Sequence, residues 1–228
     1  MASGKRARRD NVIQLERNPV EYGFTDVKPL NFIQAEYLRA IQSSQIVFGV
    51  GSAGTGKTYV AATYAAGELF HRRIQKIILT RPNVETGRGL GFLPGTLEEK
   101  YAPYLEPFDN VFARSLGKGF YEYALKAKTI EPKPLGFMRG ATFDNCIVLL
   151  DEAQNATKEE MKMLLSRIGK NCKMIISGDV DQADIPDSGL SDAIHRLDCI
   201  PDIEVVRFMD DDIVRSKMCK QIILAYRD

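Results

Sequence analysis

Eight residues, Gly51-Ser52-Ala53-Gly54-Thr55-Gly56-Lys57-Thr58, stand between an apolar, β-branched run at 45–50 and an alanine-rich, proline-free stretch at 59–70. The first stretch reads as a buried strand and the second as a helix. The chain must therefore pass from strand to helix within one glycine-rich turn, which points to folds in which a parallel strand feeds a crossover helix. Glycines permit the backbone conformations that turn N–H groups inward, and the start of the helix adds partial positive charge. The pattern is G-x-x-x-x-G-K-[ST], a phosphate cradle in which Lys57 reaches the β- and γ-phosphates of a nucleotide and the Thr58 hydroxyl ligates Mg2+. Residues Gly51, Ser52, Ala53, Gly54, Thr55, Gly56, Lys57 and Thr58, with the adjoining Tyr59, are expected to bind ATP. Gly49-x-Gly51-x-x-Gly54 also satisfies a dinucleotide fingerprint, but that reading needs an acid at the end of the next strand, where Thr80-Arg81 stands.

Further apolar runs at 76–80, 146–150 and 173–177, with a short strand marked by Ile130, alternate with helical stretches. Those stretches are 31–41, 97–116 with prolines at 103 and 107 expected to kink or divide it, 118–126, and 158–168 behind a Thr157…Glu160 capping box. Residues 87–95 are glycine-rich and read as a loop. Alternation of this kind specifies the α/β class: a parallel sheet covered by helices on both faces, with ligands at the carboxyl ends of its strands. Asp151-Glu152 and Gly178-Asp179 fall at such ends. Coupled to the P-loop, Asp151 is expected to hold Mg2+ through its water shell and Glu152 to polarise an attacking water. A glutamate there favours hydrolysis over transfer to a small molecule, because a kinase must keep water from the γ-phosphate.

The 228 residues hold no polar linker long enough to separate two cores, so one domain is expected over 26–228 behind a basic arm at 1–25. Lys5, Arg6, Arg8, Arg9 and Arg17 make that arm either a solvated tail or a nucleic-acid contact. With 31 basic and 30 acidic side chains, the chain has no strong overall field, and any attraction for nucleic acid must be local. Cys146, Cys172, Cys199 and Cys219 form no C-x-x-C pair and only His71 and His195 could join them, so no zinc site is expected. Such thiols suit a reducing cytoplasm, and neither a leader-like apolar segment nor a membrane-length apolar span is present in the sequence.

Several stretches, in order, resemble the PhoH family of ATPases, which are related to the N-terminal motor domain of superfamily 1 helicases. They are Asn31-Phe32-Ile33-Gln34, the P-loop, Leu79-Thr80-Arg81-Pro82-Asn83-Val84-Glu85, Leu90-Gly91-Phe92-Leu93-Pro94-Gly95, Phe137-Met138-Arg139-Gly140, Asp151-Glu152-Ala153-Gln154-Asn155 and Gly178-Asp179-Val180-Asp181-Gln182. The resemblance implies a RecA-like P-loop ATPase that couples ATP and Mg2+ to single-stranded RNA, or DNA, within a homohexameric ring. By it, Gln34 reads adenine, Asp179 and Gln182 sense the γ-phosphate, and Arg215 stabilises transferring phosphate across a subunit boundary. Arg81 and Arg139 become nucleic-acid candidates, with a salt bridge as the alternative for Arg139. Neither a PIN nuclease nor a KH pattern accompanies these motifs, which implies a stand-alone ATPase module. Without a second motor domain, a nucleotide-controlled interaction module is the competing reading.

Overall fold

The computed structural model describes residues 23–82 and 106–225. Six strands, β1 (Ile46–Gly51), β2 (Lys76–Thr80), β3 (Ile130–Pro132), β4 (Cys146–Leu150), β5 (Cys172–Gly178) and β6 (Ile203–Phe208), form one all-parallel sheet in the order β3-β2-β4-β5-β1-β6. The helices are α1 (Phe32–Ser43), α2 (Lys57–Phe70), α3 (Glu106–Leu116), α4 (Lys118–Lys126), α5 (Lys158–Leu165), α6 (Gly189–Leu197) and α7 (Lys217–Ala225). Side chains alternate across each strand, which sorts the interior into two layers. Val47, Ile77, Leu79, Ile147, Leu149 and Ile175 face helices α1 to α4. Phe48, Val50, Ile78, Val148, Leu150 and Ile176 face α5 and α6. This is the RecA-like α/β arrangement of P-loop NTPases, with both faces of the sheet covered.

The order places β4 and β5 between β1 and β2, so the chain leaving β1 crosses two strands that arrive later in the sequence. Registers Val50↔Gly178 and Leu150↔Ile176 bring the ends of β1, β5 and β4 together on one edge. Strand β1 is paired along its length on both sides, to β5 and to β6. It has little room for side chains at two positions. A Cβ at Gly49 would stand 2.7 Å from the ring of Tyr37, a fully buried α1 residue, and one at Gly51 would stand 1.9 Å from the Phe208 carbonyl oxygen. Gly51 also has φ +127°. Two of the three glycines in the apparent dinucleotide fingerprint are thus required by packing within the sheet and against α1.

Most expected elements among the described residues lie where the sequence places them, and two differ. The helix behind Thr157 ends at Leu165, not Ile168, because Arg167 N–H turns back to Leu164 and Ile168 makes a β-bridge with Phe143. Of the helix expected over 97–116, the described residues hold α3 (Glu106–Leu116), with Pro107 in its first described turn, and 97–105 lie outside them. Edge strand β6 was not anticipated, since Glu204 and Arg207 interrupt its apolar positions with exposed charges. The glycine-rich stretch 87–95, Pro103 and the basic arm through residue 22 lie outside the described residues.

Gly49→Ala should lower stability by about 1–3 kcal/mol, because the Tyr37 ring can move aside. Gly51→Ala should cost more, since a backbone carbonyl blocks it and its φ is strained for alanine. Urea denaturation followed by circular dichroism checks the order; a Gly51→Ala protein as stable as the parent would contradict it.

Candidate active site

The P-loop leaves β1 at Gly51 and enters α2 at Lys57, with Gly54 and Gly56 both at positive φ (+79° and +86°). It is braced from outside the motif. Gln34 donates from Nε2 to the Thr55 carbonyl at 2.8 Å, and its Oε1 accepts the Leu30 N–H at 2.8 Å. Ser52 Oγ donates to Asp210 at 2.5 Å, and Val214 N–H donates to the Gly54 carbonyl at 3.1 Å. Lys57 bends back onto its own loop, donating to the carbonyls of Gly51 at 2.6 Å and Ser52 at 2.8 Å. Burial lowers the Lys57 pKa, opposed by the charges of Asp179, Asp151 and Glu152. An ammonium held on neutral carbonyls in a nearly buried position is an anion-ready group.

On the neighbouring strand ends, Thr58 Oγ1 lies 3.3 Å from Asp151 Oδ1, an all-oxygen pair of the kind hard cations take. Asp151 is 8% exposed, and burial, then the charge of Glu152, pushes its pKa up to about 6, while Arg81 and Thr58 oppose the rise. Glu152 has φ +52°, an unusual conformation for a residue with a side chain. Its Oε1 pairs with Arg81 Nη2 at 3.0 Å, and its Oε2 accepts from Gln154 Nε2 at 2.7 Å. Gln154 Oε1 in turn accepts the Asp179 N–H at 3.0 Å, so one buried carboxamide joins the ends of β4 and β5. The role of Gln154 was not foreseen, although it stands inside the quoted Asp151–Asn155 motif; Asp210 carried no signal beyond its place in an acidic run.

Asp179 caps the short turn Val180–Gln182, and its Oδ2 is buried without a hydrogen-bond partner among the described residues. That orphaned oxygen, the anion-ready lysine and the Thr58–Asp151 pair together fit a phosphate chain bearing a hard cation. A cavity of about 460 Å³ collects Ala53, Gly54, Gly56, Lys57, Thr58, Tyr59, Asp151, Glu152, Asp179, Gln182 and Arg215. A larger cavity of about 520 Å³ opens at the opposite ends of the strands, around Ser44, Cys172 and Lys173, away from the phosphate motif.

Gln34 is fully buried, and in this conformation it bonds the P-loop backbone. Arg215 lies beside its own chain's P-loop, its Cδ 3.0 Å from where a Gly54 Cβ would be, and lines the same cavity. Arg81 is drawn into the Glu152 ion pair. Arg139 is exposed beyond the turn Leu135–Met138 and forms no ion pair with a described residue. The quoted residues Asn83 to Glu85 and Leu90 to Gly95 lie outside the described residues.

A parallel sheet whose β1 turns through this loop into α2, with the carboxylates of β4 and β5 beside it, defines a P-loop nucleotide-binding protein. The chain belongs to the PhoH family: the family model described as "PhoH-like protein" matches residues 26–227. Protein PhoH of Escherichia coli (strain K12) is 44% identical over 209 residues, covering 88% of this chain and 59% of that protein. A PhoH-like protein of Bacillus subtilis (strain 168) is 47% identical over 196 residues, covering 85% and 61%. The chain thus spans about three-fifths of the length of these relatives. Among solved structures, the Pif1 helicase from Candida albicans is similar over 80% of this chain and 40% of that one, at 15% identity and a TM-score of 0.41. Among the described residues no helix is long and apolar enough to cross a membrane.

The raised Asp151 pKa carries a stability cost of known sign. Below the ordinary value of 3.8 the group is neutral folded and unfolded; above about 6 the fold must hold a buried charge, at up to about 3 kcal/mol. In EDTA, Asp151→Asn should therefore raise the melting temperature at pH 8, with the gain shrinking toward pH 5. A lower melting temperature at pH 8 would contradict the burial argument.

Proposed function

We propose that this protein hydrolyses ATP in the Lys57–Asp151 cavity and couples the cycle to single-stranded RNA. The observation that carries the enzymatic half is the convergence of Lys57, Thr58, Asp151, Glu152, Asp179, Gln182 and Arg215 on one cavity of about 460 Å³. P-loop N–H groups and Lys57 hold the β- and γ-phosphates, the amine leaving its two loop carbonyls for them. Thr58, with Asp151 acting through water, would hold Mg2+, which would supply charge neutralisation to the phosphates. Glu152 accepts a proton from the attacking water, and Gln182 orients that water or a γ-oxygen. Arg215, beside Gly54 of the same chain, stabilises the charge that spreads over the transferring group. Tyr59 borders the nucleotide, and Gln34 keeps the loop in shape for it.

The RNA half is supported by membership of the PhoH family and its resemblance to helicase-type motors, with Arg81 and the exposed Arg139 as the phosphate contacts. DNA presents the same backbone charge and is the alternative strand. A cytoplasmic homo-oligomeric ring belongs to this reading. The second reading, a nucleotide-gated interaction module, is favoured by one observation: both Glu152 oxygens are engaged, which suits slow unstimulated turnover.

Phosphate release and nucleotide binding test both halves. Lys57→Ala should lose ATP affinity and turnover, while Glu152→Gln should retain ATP but turn over about 10²-fold or more slowly. Unchanged turnover in both variants would remove the site. Acceleration by oligo(U) supports the motor; a rate indifferent to RNA and DNA supports the interaction module.

A further inference from the structure

Glu152 is the side chain that the proposed hydrolysis most needs free to meet water, and it is held from two directions. Arg81 Nη2 stands 3.0 Å from its Oε1, and Gln154 Nε2 stands 2.7 Å from its Oε2. Gln154 cannot turn away easily: it is 2% exposed, and its other end accepts the Asp179 N–H at 3.0 Å. Gly178 leaves no slack beside it, since a Cβ there would lie 2.9 Å from Gln154 Oε1. The backbone of Glu152 holds φ +52°, a conformation uncommon for a residue with a side chain. Each oxygen keeps a further lone pair, but the two bonds fix the direction in which it points.

Arg81 and Gln154 differ in what they can do. Gln154 is tied to the end of β5 and belongs to the fixed frame. Arg81 follows the last residue of β2, the strand next to β4, and its side chain retains 20% exposure against 45% for Glu152. A guanidinium at the edge of a site is a planar fork, and a phosphate group competes for such a fork by offering two parallel bonds.

We propose that Arg81 is a positioning residue that holds Glu152 in an unready orientation, and that a backbone phosphate of a bound nucleic-acid strand, by taking the guanidinium, releases Glu152 to face the attacking water. This rests on the reading of Glu152 as the water-polarising residue. It makes Arg81 a brake on hydrolysis in the absence of a strand and the link through which a strand removes it. A catalytic or merely structural arginine has the opposite signature, because its loss slows turnover or destabilises the fold.

The test is steady-state phosphate release by the full chain with Mg2+ and ATP, with and without oligo(U). Without RNA, Arg81→Gln should raise kcat by roughly five- to tenfold, the scale of one charge-assisted contact. Its KM should stay within about twofold of the parent, since the contact acts on the water-polarising group rather than on nucleotide binding. Oligo(U) should accelerate the parent and leave Arg81→Gln unchanged. Arg81→Lys, which keeps the charge and loses the fork, should fall between them; it also carries the test if Arg81→Gln loses its cooperative melt. A kcat at or below the parent value in a folded Arg81 variant overturns the brake. Equal acceleration of parent and variant by oligo(U), or none in the parent, overturns release by a strand. Glu152→Gln run beside them separates the two levels: parent-like turnover there removes the assignment of Glu152 itself, whereas slow turnover leaves it standing and confines any failure to Arg81.

Discussion

Strand β1 is pinned on both sides, to β5 and β6, up to the point where the chain must leave the sheet, and the rest of the site depends on that constraint. Only a residue without a side chain can leave past the Phe208 carbonyl at Gly51, and the left-handed glycines that follow turn the loop back over the strand ends. Because β5 and β4 insert between β1 and β2, the same edge gathers Asp179, Asp151, Glu152 and Arg81 beside Lys57 and Thr58. The chemistry is therefore a by-product of strand order. Shifting one register by a residue would turn the acids to other faces.

The assembled groups are expensive to hold as they stand. Lys57 is nearly buried on neutral carbonyls, Asp151 is pushed up to about 6 by burial and by Glu152, and one Asp179 oxygen is buried without a partner among the described residues. A phosphate chain with a hard cation would relieve all three, by giving the amine an anion and the carboxylates a positive charge. Stability given up here is what makes binding favourable, which is the common relation between a strained site and its ligand. The Arg81–Glu152–Gln154 chain adds a second layer, linking the ends of β2, β4 and β5 through side chains rather than backbone.

The parts legible in the sequence were those where one local rule dominates. Apolar runs as short as Cys146–Leu150 announced buried parallel strands, the glycine-lysine-threonine pattern announced the loop, and Thr157 with Glu160 announced the start of α5. What escaped depended on partners distant in sequence. Strand β6 alternates charge with apolar residues because it is an edge, and its pairing to β1 is invisible without the sheet. The bond of Gln34 to the Thr55 carbonyl and that of Val214 N–H to the Gly54 carbonyl, which brings Arg215 beside the P-loop, join residues far apart in sequence. The ion pair between Arg81 and Glu152 joins residues just beyond the ends of adjacent strands that are far apart in sequence, so no local pattern could show it.

The central claim is that the folded-back lysine, the Thr58–Asp151 pair and the orphaned Asp179 oxygen together make one nucleotide site. A crystal structure of the complex with Mg2+ and a non-hydrolysable ATP analogue tests it most directly. The account predicts Lys57 Nζ withdrawn from the Gly51 and Ser52 carbonyls onto the β- and γ-phosphates, with the cation beside Thr58 Oγ1 and Asp151. Nucleotide bound elsewhere, or bound with Lys57 still on those carbonyls, would contradict it.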